Sequence, residues 1–231
     1  MMTAAFYVAG TDTGIGKTVA STALLHALGA RGLRAVGMKP VASGCERIQG
    51  EWRNEDALSL QSASDPVPAY ADVNPYALPS ATAPELAARE VGVDIALAPI
   101  VAAYRRLAVQ ADAVVVEGVG GWAAPLSAEL DQIDVVRALG LPVVLVVGLK
   151  LGCINHARLS AQAIAADGAR LVGWIGNDVD PELARADDYF ALLVPRIPAP
   201  CLGRLPHAAD LDARALSAQL DCSLLFANRF A

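Results

Sequence analysis

The feature that most constrains this chain is a glycine-rich segment at residues 10–18, Gly-Thr-Asp-Thr-Gly-Ile-Gly-Lys-Thr, between an apolar run and a helix-like run. A turn of this kind between a strand and a helix directs several backbone N–H groups at one point, where the helix dipole adds partial positive charge. Polyphosphate fits such a site. Lys17 is then expected to reach the β- and γ-phosphates, and the Thr18 hydroxyl to hold Mg²⁺.

The spacing of this segment departs from the common phosphate-binding loop by one residue. In the common form a glycine precedes the Gly of Gly-Lys-Thr by five positions, whereas here that position is Thr11 and Gly10 comes one residue earlier. The first turn of the loop must therefore differ even if the anion cradle is kept. The alternative is a plain glycine-rich turn followed by Lys-Thr by chance, but the flanking strand and helix that the motif requires are both predicted.

Composition and charge narrow the classes of fold and partner. A chain of 231 residues with 55% apolar residues is expected to form a single domain over residues 1–231. A net charge of −6 without a Lys/Arg cluster argues against nucleic-acid or membrane-surface binding. Scattered cysteines favour reduced thiols over disulfides or a zinc site. With no signal-like segment or membrane-length apolar run, we expect a soluble, cytoplasmic protein that binds small molecules.

Strands and helices alternate along the chain, which predicts an α/β fold with a doubly wound, mostly parallel sheet and helices on both faces. Asn54 is expected to cap a short helix that contains Asp56. The polar stretch 46–53 shows no periodicity. The five prolines between Pro66 and Pro84 predict a long surface loop that could cover a substrate. Strands are predicted at 6–9, 35–38, 113–116, 142–147, 171–176 and 202–205, and the other helices at 19–28, 95–111, 133–139 and up to about residue 167.

Residues at the carboxyl ends of the predicted strands are the next candidates, because ligands bind at that edge of such a sheet. Lys39 and Ser43 follow the second strand and are expected beside the phosphate loop. Both Lys17 and Lys39 are expected in a solvated crevice rather than in the core. Glu117 ends a core strand and is placed to hold Mg²⁺, although a surface Glu at a strand-to-turn junction is the alternative. Asp56 is a weaker candidate for a ligand-binding role, because the preference for acidic residues in the first turn of a helix explains its position equally well.

The residues after two later predicted strands are weaker candidates for ligand binding. Gly152 to Asn155 begin a second helix after a glycine-bearing turn and could receive an anion such as a carboxylate, but a plain turn capped by Asn155 explains the pattern equally well. Asn177 offers the donor and acceptor needed to recognise an adenine edge, and a turn-forming Asn is the alternative. Pro206 and His207 end the last predicted strand near the same place.

Taken together, these segments resemble the dethiobiotin synthetase family over nearly the whole chain, and that family uses the same extended phosphate loop. The resemblance implies a fold of the P-loop NTPase type and an ATP- and Mg²⁺-dependent ligase that converts 7,8-diaminononanoate and CO₂ into dethiobiotin, with release of ADP and phosphate. The implied route is a carbamate, then a carbamic-phosphoric anhydride, then ring closure. Five blocks carry the resemblance, at 10–18, 39–44, 116–122, 150–157 and 173–178.

The resemblance also implies residue roles. Lys17 and Lys39 match the catalytic lysines, and Gly14 stands where some members carry an acidic residue, so only its backbone is expected to make contacts. The implied nucleotide and Mg²⁺ residues are Thr13, Gly14, Ile15, Gly16, Lys17, Thr18, Asp56, Glu117, Gly118, Gly120, Asn177, Asp178, Pro206 and His207, with Thr18, Asp56 and Glu117 as metal ligands. The implied diamine residues are Thr13, Lys39, Ser43, Gly120, Gly152, Cys153, Ile154, Asn155 and Tyr189.

A homodimer with active sites at its interface is the assembly that the resemblance implies. In it, Gly152 to Asn155 of one subunit receive the carboxylate tail of a diamine bound to the other, with Tyr189 nearby.

Two other classes of ATP-dependent protein share this phosphate loop and are alternatives to the dethiobiotin synthetase family. A cobyrinate- or cobyrate-type amide ligase needs a glutaminase domain for which no sequence remains after Pro206. A dimeric partition-type ATPase usually has an extra lysine early in the loop, where this chain has Thr11 and Asp12.

Overall fold

The structure is a computed structural model that describes residues 3–207 and 212–226. In that part of the chain the strands are β1 (Ala4–Gly10), β2 (Ala35–Met38), β3 (Val41–Ala42), β4 (Glu46–Ile48), β5 (Glu51–Arg53), β6 (Tyr76–Ala77), β7 (Ala113–Glu117), β8 (Val143–Leu149), β9 (Leu171–Asp178) and β10 (Cys201–Leu205). The helices are α1 (Lys17–Ala30), α2 (Glu55–Ser62), α3 (Tyr70–Val73), α4 (Pro84–Glu90), α5 (Leu97–Gln110), α6 (Gln132–Leu139), α7 (Cys153–Ala166), α8 (Ala186–Leu193) and α9 (Ala213–Ser217), followed by a 3₁₀ helix (Cys222–Leu225).

Six strands form one parallel sheet in the order β10-β9-β8-β1-β7-β2. All residues of β1 are buried, and successive side chains face opposite layers: Phe6 packs toward α1, α2 and α9, whereas Tyr7 packs toward α5, α6 and α7. Strands covered on both faces are expected to be apolar throughout, as β1 and β8 are and as β7 is up to Glu117, its last residue. The doubly wound α/β class predicted from the sequence is confirmed.

The strand order positions the functional site. From β1 the chain moves outward to β2, returns to β7 beside β1, and then continues through β8, β9 and β10 on the other side of β1. In sheets of this kind, ligands bind outside the carboxyl ends of the strands where the direction reverses. The loop after β1 lies at this point, with Glu117 ending β7 on one side and the loop after β8 on the other.

Two stretches form structure that was not predicted from the sequence. Residues 46–53, which lack periodicity, form an exposed antiparallel hairpin of β4 and β5, with Gln49 and Gly50 at positive φ in the turn. The prediction of a surface loop from Pro66 to Pro84 is wrong for the middle of that segment. It contains α3 and β6, and Val73 and Leu78 are fully buried, because these apolar side chains join the cores on either face of the sheet.

No helix among the described residues is both long and apolar enough to cross a bilayer.

Candidate functional site

The carboxyl ends of β1, β2 and β7 open into a crevice of about 770 Å³, a volume typical of small-molecule sites. It gathers residues from separate parts of the sequence. The predicted site residues that line it are Thr13, Gly14, Gly16, Lys17, Thr18, Lys39, Ser43, Asp56, Glu117 and Gly120. Residues 81–84, at the end of the proline-rich segment that was expected to cover a substrate, also line it. Sequence reasoning did not single out Val19, Ala42, Asn54, Val119, Ala124 or Pro125 as lining residues.

The phosphate loop ends at Gly16, which caps α1 in a left-handed conformation with φ 75° and makes no side-chain capping hydrogen bond. The first N–H groups of α1 lack intrahelical partners, so they remain directed at the crevice. The early glycine, Gly10, has a steric role: a Cβ there would lie 2.9 Å from Cδ of Lys17. The extended loop thus places a glycine where the Lys17 side chain folds back over the backbone.

Lys17 is held by backbone oxygens. Its Nζ donates to the carbonyl oxygens of Asp12 and Gly120, both at 2.8 Å, and the residue is 7% exposed. Burial, followed by the charge of Lys39, lowers the pKa of Lys17 to about 8. A phosphate oxygen is a stronger acceptor than a neutral carbonyl, so this ammonium is positioned to transfer its hydrogen bonds to a phosphate.

Lys39 lies between two carboxylates, the buried Glu117 and the half-exposed Asp56. Its Nζ is 2.5 Å from Glu117 Oε1, 3.1 Å from Asp56 Oδ2 and 3.1 Å from the carbonyl oxygen of Gly118. Burial by itself lowers the pKa of Lys39, but the charges of Glu117 and Asp56 outweigh it and the pKa is raised. The expectation that both lysines lie in a solvated crevice is wrong, because Lys39 is only 3% exposed.

Thr18, Asp56 and Glu117 offer oxygen atoms that fit a hard divalent cation. Thr18 Oγ1 donates to Glu117 Oε1 at 2.9 Å, and Glu117 Oε2 is buried without a hydrogen-bond partner. Partial burial raises the pKa of Asp56, but Lys39 and the Thr18 hydroxyl lower it on balance, so the carboxylate stays ionised. Within the described residues no three His, Cys, Asp or Glu side chains cluster as a metal site. A hydroxyl and two carboxylates are donors of the kind through which proteins bind Mg²⁺ together with substrate phosphates.

The residues predicted near the nucleotide base lie on the other side of the phosphate loop, at the ends of β9 and β10. Asn177 is buried, and its Nδ2 donates to the carbonyl oxygen of Ile15 at 2.9 Å. The Asp178 carboxylate is paired with Arg204 at 3.0 Å, so it braces the strand ends. His207 Nδ1 lies 3.3 Å from the carbonyl oxygen of Asp178, and Pro206 is exposed. None of these four residues lines the crevice, although Asn177 contacts the loop that does.

The second predicted anion site is separate from the crevice of its own chain. Gly152, with φ 91°, begins α7; Gly152 and Asn155 are exposed, Ile154 is half-buried and Cys153 is buried. Tyr189 lies on α8, half-buried against the core. None of these residues lines the crevice. Lys150, which precedes this segment, links it to the site through an ion pair of 2.7 Å with Asp12 of the phosphate loop.

Gln132 is a residue of the site that sequence reasoning missed. It is 1% exposed, and its Oε1 accepts hydrogen bonds from the Tyr7 hydroxyl at 2.7 Å and from Val119 N at 2.9 Å. Its Nε2 donates to the carbonyl oxygen of Gly121 at 2.5 Å. The side chain thereby holds the loop after Glu117, including the residue next to Gly120. A glutamine at the start of a helix carries no sequence signal for burial.

Comparisons with known proteins add to this geometry. A family model described as an AAA domain matches residues 4–215. The ATP-dependent dethiobiotin synthetase BioD of Xanthomonas oryzae pv. oryzae (strain PXO99A) is 66% identical over 215 residues, which cover 93% of this chain and 96% of the relative. The protein of the same name from Xylella fastidiosa (strain 9a5c) is 64% identical over 221 residues, which cover 95% of this chain and 98% of the relative.

Solved structures show the same fold at low sequence identity. The cell division protein FtsY of Thermotoga maritima superposes with a TM-score of 0.53 at 16% identity, covering 93% of this chain and 67% of the other. The MinC:MinD cell division protein complex of Aquifex aeolicus gives a TM-score of 0.55 at 13% identity, covering 92% and 86%. These neighbours confirm the α/β fold of P-loop NTPase type.

Proposed function

This chain belongs to the ATP-dependent dethiobiotin synthetase family, and on that premise we propose that its crevice forms the ureido ring of dethiobiotin from 7,8-diaminononanoate, CO₂ and ATP. The observation that carries the proposal is the meeting of Lys17, Lys39 and Glu117 at the end of the crevice beside the phosphate loop. Two cations, a buried carboxylate and a row of free N–H groups are what a polyphosphate and a second anion require.

The reaction needs no nucleophile from the protein. One amine of the substrate adds to CO₂ and loses a proton to give a carbamate. A carbamate oxygen then attacks the γ-phosphorus and ADP leaves. The second amine attacks the carbamate carbon and expels phosphate, which closes the ring. Catalysis thus consists of positioning the carbamate in line with the γ-phosphate and stabilising the negative charge that develops between them.

Each charged group of the crevice has a part in this scheme. Lys17 exchanges its two carbonyl partners for phosphate oxygens, and Lys39, between the phosphate loop and Ser43, stabilises the carbamate and the transferred phosphoryl group. Thr18, Asp56 and Glu117 would hold Mg²⁺. When bound, Mg²⁺ neutralises charge on the β- and γ-phosphates. Backbone N–H groups from Gly14 to Thr18 complete the phosphate contacts, with Gly118 and Gly120 on the facing loop, whereas the N–H of Thr13 donates to Asp12 Oδ1.

We assign the adenine to the region of Asn177. One N–H of this side chain is bonded to the Ile15 carbonyl oxygen, and a second N–H and an amide oxygen are the pair that an adenine edge requires. Pro206 and His207 lie beside it and form the other wall. Residues 208–211, which follow in the sequence, lie outside the described residues. Asp178 acts indirectly, because its ion pair with Arg204 ties β9 to β10.

We further propose that residues 1–231 act as one domain and that the working form is a homodimer. Support comes from the start of α7, where Gly152 and Asn155 are exposed and Leu151 is 77% exposed, although these residues do not reach the crevice of their own chain. A partner subunit that covers this surface would place the α7 N-terminus against the tail of its own bound diamine. Thr13, Ser43 and Gly120 would bind the reacting end, and Gly152, Cys153, Ile154, Asn155 and Tyr189 would bind the carboxylate end.

The decisive test is product formation by the purified protein. Labelled bicarbonate should enter a cyclic urea only when the diamine, ATP and Mg²⁺ are all present, because each contributes atoms or charge to the ring closure. Omission of the diamine serves as the control. ATP hydrolysis that does not depend on the diamine, without a ring product, would contradict the proposal and favour the partition-type ATPase.

A further inference from the structure

The segment from Pro66 to Pro84 includes buried residues that contact the backbone of Lys39. Val73 is fully buried and Asn74 is 3% exposed. The backbone N–H of Lys39 donates to the carbonyl oxygen of Val73 at 2.7 Å, so the residue that carries the catalytic ammonium is bonded to this segment through its own main chain. This contact makes the segment a support for Lys39.

Two side chains extend this support toward α2, the helix that carries Asp56. Asn74 Nδ2 donates to the carbonyl oxygen of Lys39 at 2.7 Å, and Asn74 Oδ1 accepts from the Tyr70 hydroxyl at 3.1 Å. The same hydroxyl accepts from the backbone N–H of Asn54 at 2.7 Å. An unbroken chain of hydrogen bonds therefore joins the backbone of Lys39 to the backbone of Asn54.

Asn54 transmits this connection to Asp56. Its Oδ1 accepts from the N–H of Ala57 at 3.2 Å, so Asn54 is the N-cap of α2, and Asp56 lies in the first turn of that helix. Asn54 Nδ2 also donates to the carbonyl oxygen of Ser43, a predicted substrate residue, at 3.3 Å. The position of the N-cap thus sets where the Asp56 carboxylate enters the crevice.

The covalent connection between Lys39 and Asp56 does not fix their separation. Between β2 and α2 the chain forms the two-residue strand β3 and a hairpin whose residues 46–52 are exposed, and neither belongs to the main sheet. Yet Lys39 Nζ and Asp56 Oδ2 lie 3.1 Å apart. We propose that Tyr70 and Asn74 are positioning residues, which set the distance between the Lys39 ammonium and the Asp56 carboxylate by bridging the backbones of the two elements that carry them.

The variant that isolates the bridge is Tyr70→Phe. It removes the hydroxyl shared by Asn54 and Asn74 but keeps the ring, over which the Arg53 guanidinium lies at 4.0 Å. Tyr76→Phe is a matched control in the same segment. The Tyr76 hydroxyl also accepts from one backbone N–H and donates to one carbonyl, but both belong to Ala96, before α5, and neither connects to Lys39 or Asp56. Each variant thus loses one hydroxyl with two hydrogen bonds.

The proposal rests on the proposed function for its activity assay, and a second measurement does not depend on that function. Because misplacement of a reacting group by about 1 Å can lower a rate about 100-fold, we expect Tyr70→Phe to lower kcat about tenfold and Tyr76→Phe to change it less than twofold. The second measurement is the rise in Tm caused by a non-hydrolysable ATP analogue as Mg²⁺ is titrated. Tyr70→Phe should need about tenfold more Mg²⁺ for the half-maximal rise, because Asp56 is displaced.

The outcomes distinguish a positioning role of the Tyr70–Asn74 bridge from a purely structural one. A loss of Tm without ligand that is similar in both variants, together with a change in kcat and Mg²⁺ requirement only in Tyr70→Phe, supports positioning. If Tyr70→Phe follows Tyr76→Phe in both measurements, the bridge is structural only and the proposal is overturned. Asn74→Ala, which breaks the bridge at Lys39, should give the same pattern as Tyr70→Phe and replaces it if that variant is unfolded at the assay temperature. A wild-type protein that forms no ring product refutes the proposed function but leaves the Mg²⁺ titration valid.

Discussion

Lys39 Nζ and Glu117 Oε1 lie 2.5 Å apart, with both side chains almost completely buried. The ammonium contacts the carboxylate that the proposed function assigns to Mg²⁺, so the charge of Glu117 is balanced by a lysine of the same site. Lys39 is therefore the counter-ion of a buried carboxylate, and the proposed function also assigns it a part in the reaction.

The first prediction separates these two roles of Lys39. Lys39→Met leaves the Glu117 carboxylate buried without its counter-ion, and loss of one partner of a buried pair costs about 3–5 kcal/mol of unfolding free energy. Lys39→Met combined with Glu117→Gln should recover most of this loss, since no buried carboxylate is left without its counter-ion. Neither protein should regain activity, because loss of one preorganised charge lowers kcat about 100- to 1000-fold. Denaturant unfolding and turnover measure the two effects, and a double variant no more stable than Lys39→Met would refute the counter-ion role.

The second prediction concerns pH and Lys17, whose pKa is lowered to about 8 by burial and by Lys39. Below this pH the ammonium is charged and binds phosphate; above it the amine becomes neutral and the attraction is lost. The affinity for ATP, measured by calorimetry with excess EDTA, should therefore decrease as pH rises from about 7 to about 9.5.

Lys17→Arg is the control for this pH dependence, since its guanidinium stays charged across the range and its affinity for ATP should stay nearly constant there.

A rise in pH has the opposite effect on the contribution of Lys17 to folding stability. Because the pKa of Lys17 is lower in the folded protein than its usual 10.5, the unfolded chain binds more protons between these values, and the contribution of Lys17 to stability rises with pH in that window. A wild-type affinity that does not change between about pH 7 and 9.5 would show that Lys17 is not the titrating group.

The third prediction tests the support of the Gly118–Gly121 loop by Gln132. Burial and the charge of Glu117 raise the pKa of Tyr7, so its hydroxyl remains a donor to Gln132 at any working pH. Gln132→Leu leaves this buried hydroxyl and Val119 N without their acceptor, which should cost about 1–3 kcal/mol of stability and also lower kcat. Tyr7→Phe is the matched control, because Gln132 keeps its bonds to the loop, so kcat should fall much less. Equal losses of kcat in the two variants would contradict a role of Gln132 in holding the loop.

The parts of the site that could be predicted from the sequence are those that depend on residues close together in the chain. The phosphate loop, the alternation of strands and helices and the Asn54 cap are encoded by neighbouring residues, and the structure shows each of them. Glu117 could be placed beside the loop because parallel strands bring their carboxyl ends to one edge.

The residues that were missed depend on partners far away in the chain. Asn74 supports the site because it meets Lys39, 35 residues earlier, and Gln132 because it meets Tyr7, 125 residues earlier. Neither residue has a periodic pattern or a motif that would predict burial. The prolines around residue 74 suggested a surface loop, but the apolar Val73 and Leu78 anchor it in the interior.

The last prediction tests whether the start of α7 serves the site of a partner subunit. Lys17→Ala and Asn155→Ala each remove one group, and Lys17 suits this test because its partners are neutral carbonyls, so its loss leaves no buried charge unpaired. Each variant should be impaired, and a mixture that has exchanged subunits should recover activity. A mixed dimer with shared sites holds one doubly altered site and one intact site, so random pairing at equal concentrations should restore about a quarter of the wild-type sites. If both residues serve a site within one chain, every site in the mixed dimer keeps one lesion. Absence of recovery, with subunit exchange verified by mass spectrometry, would then rule out the shared site.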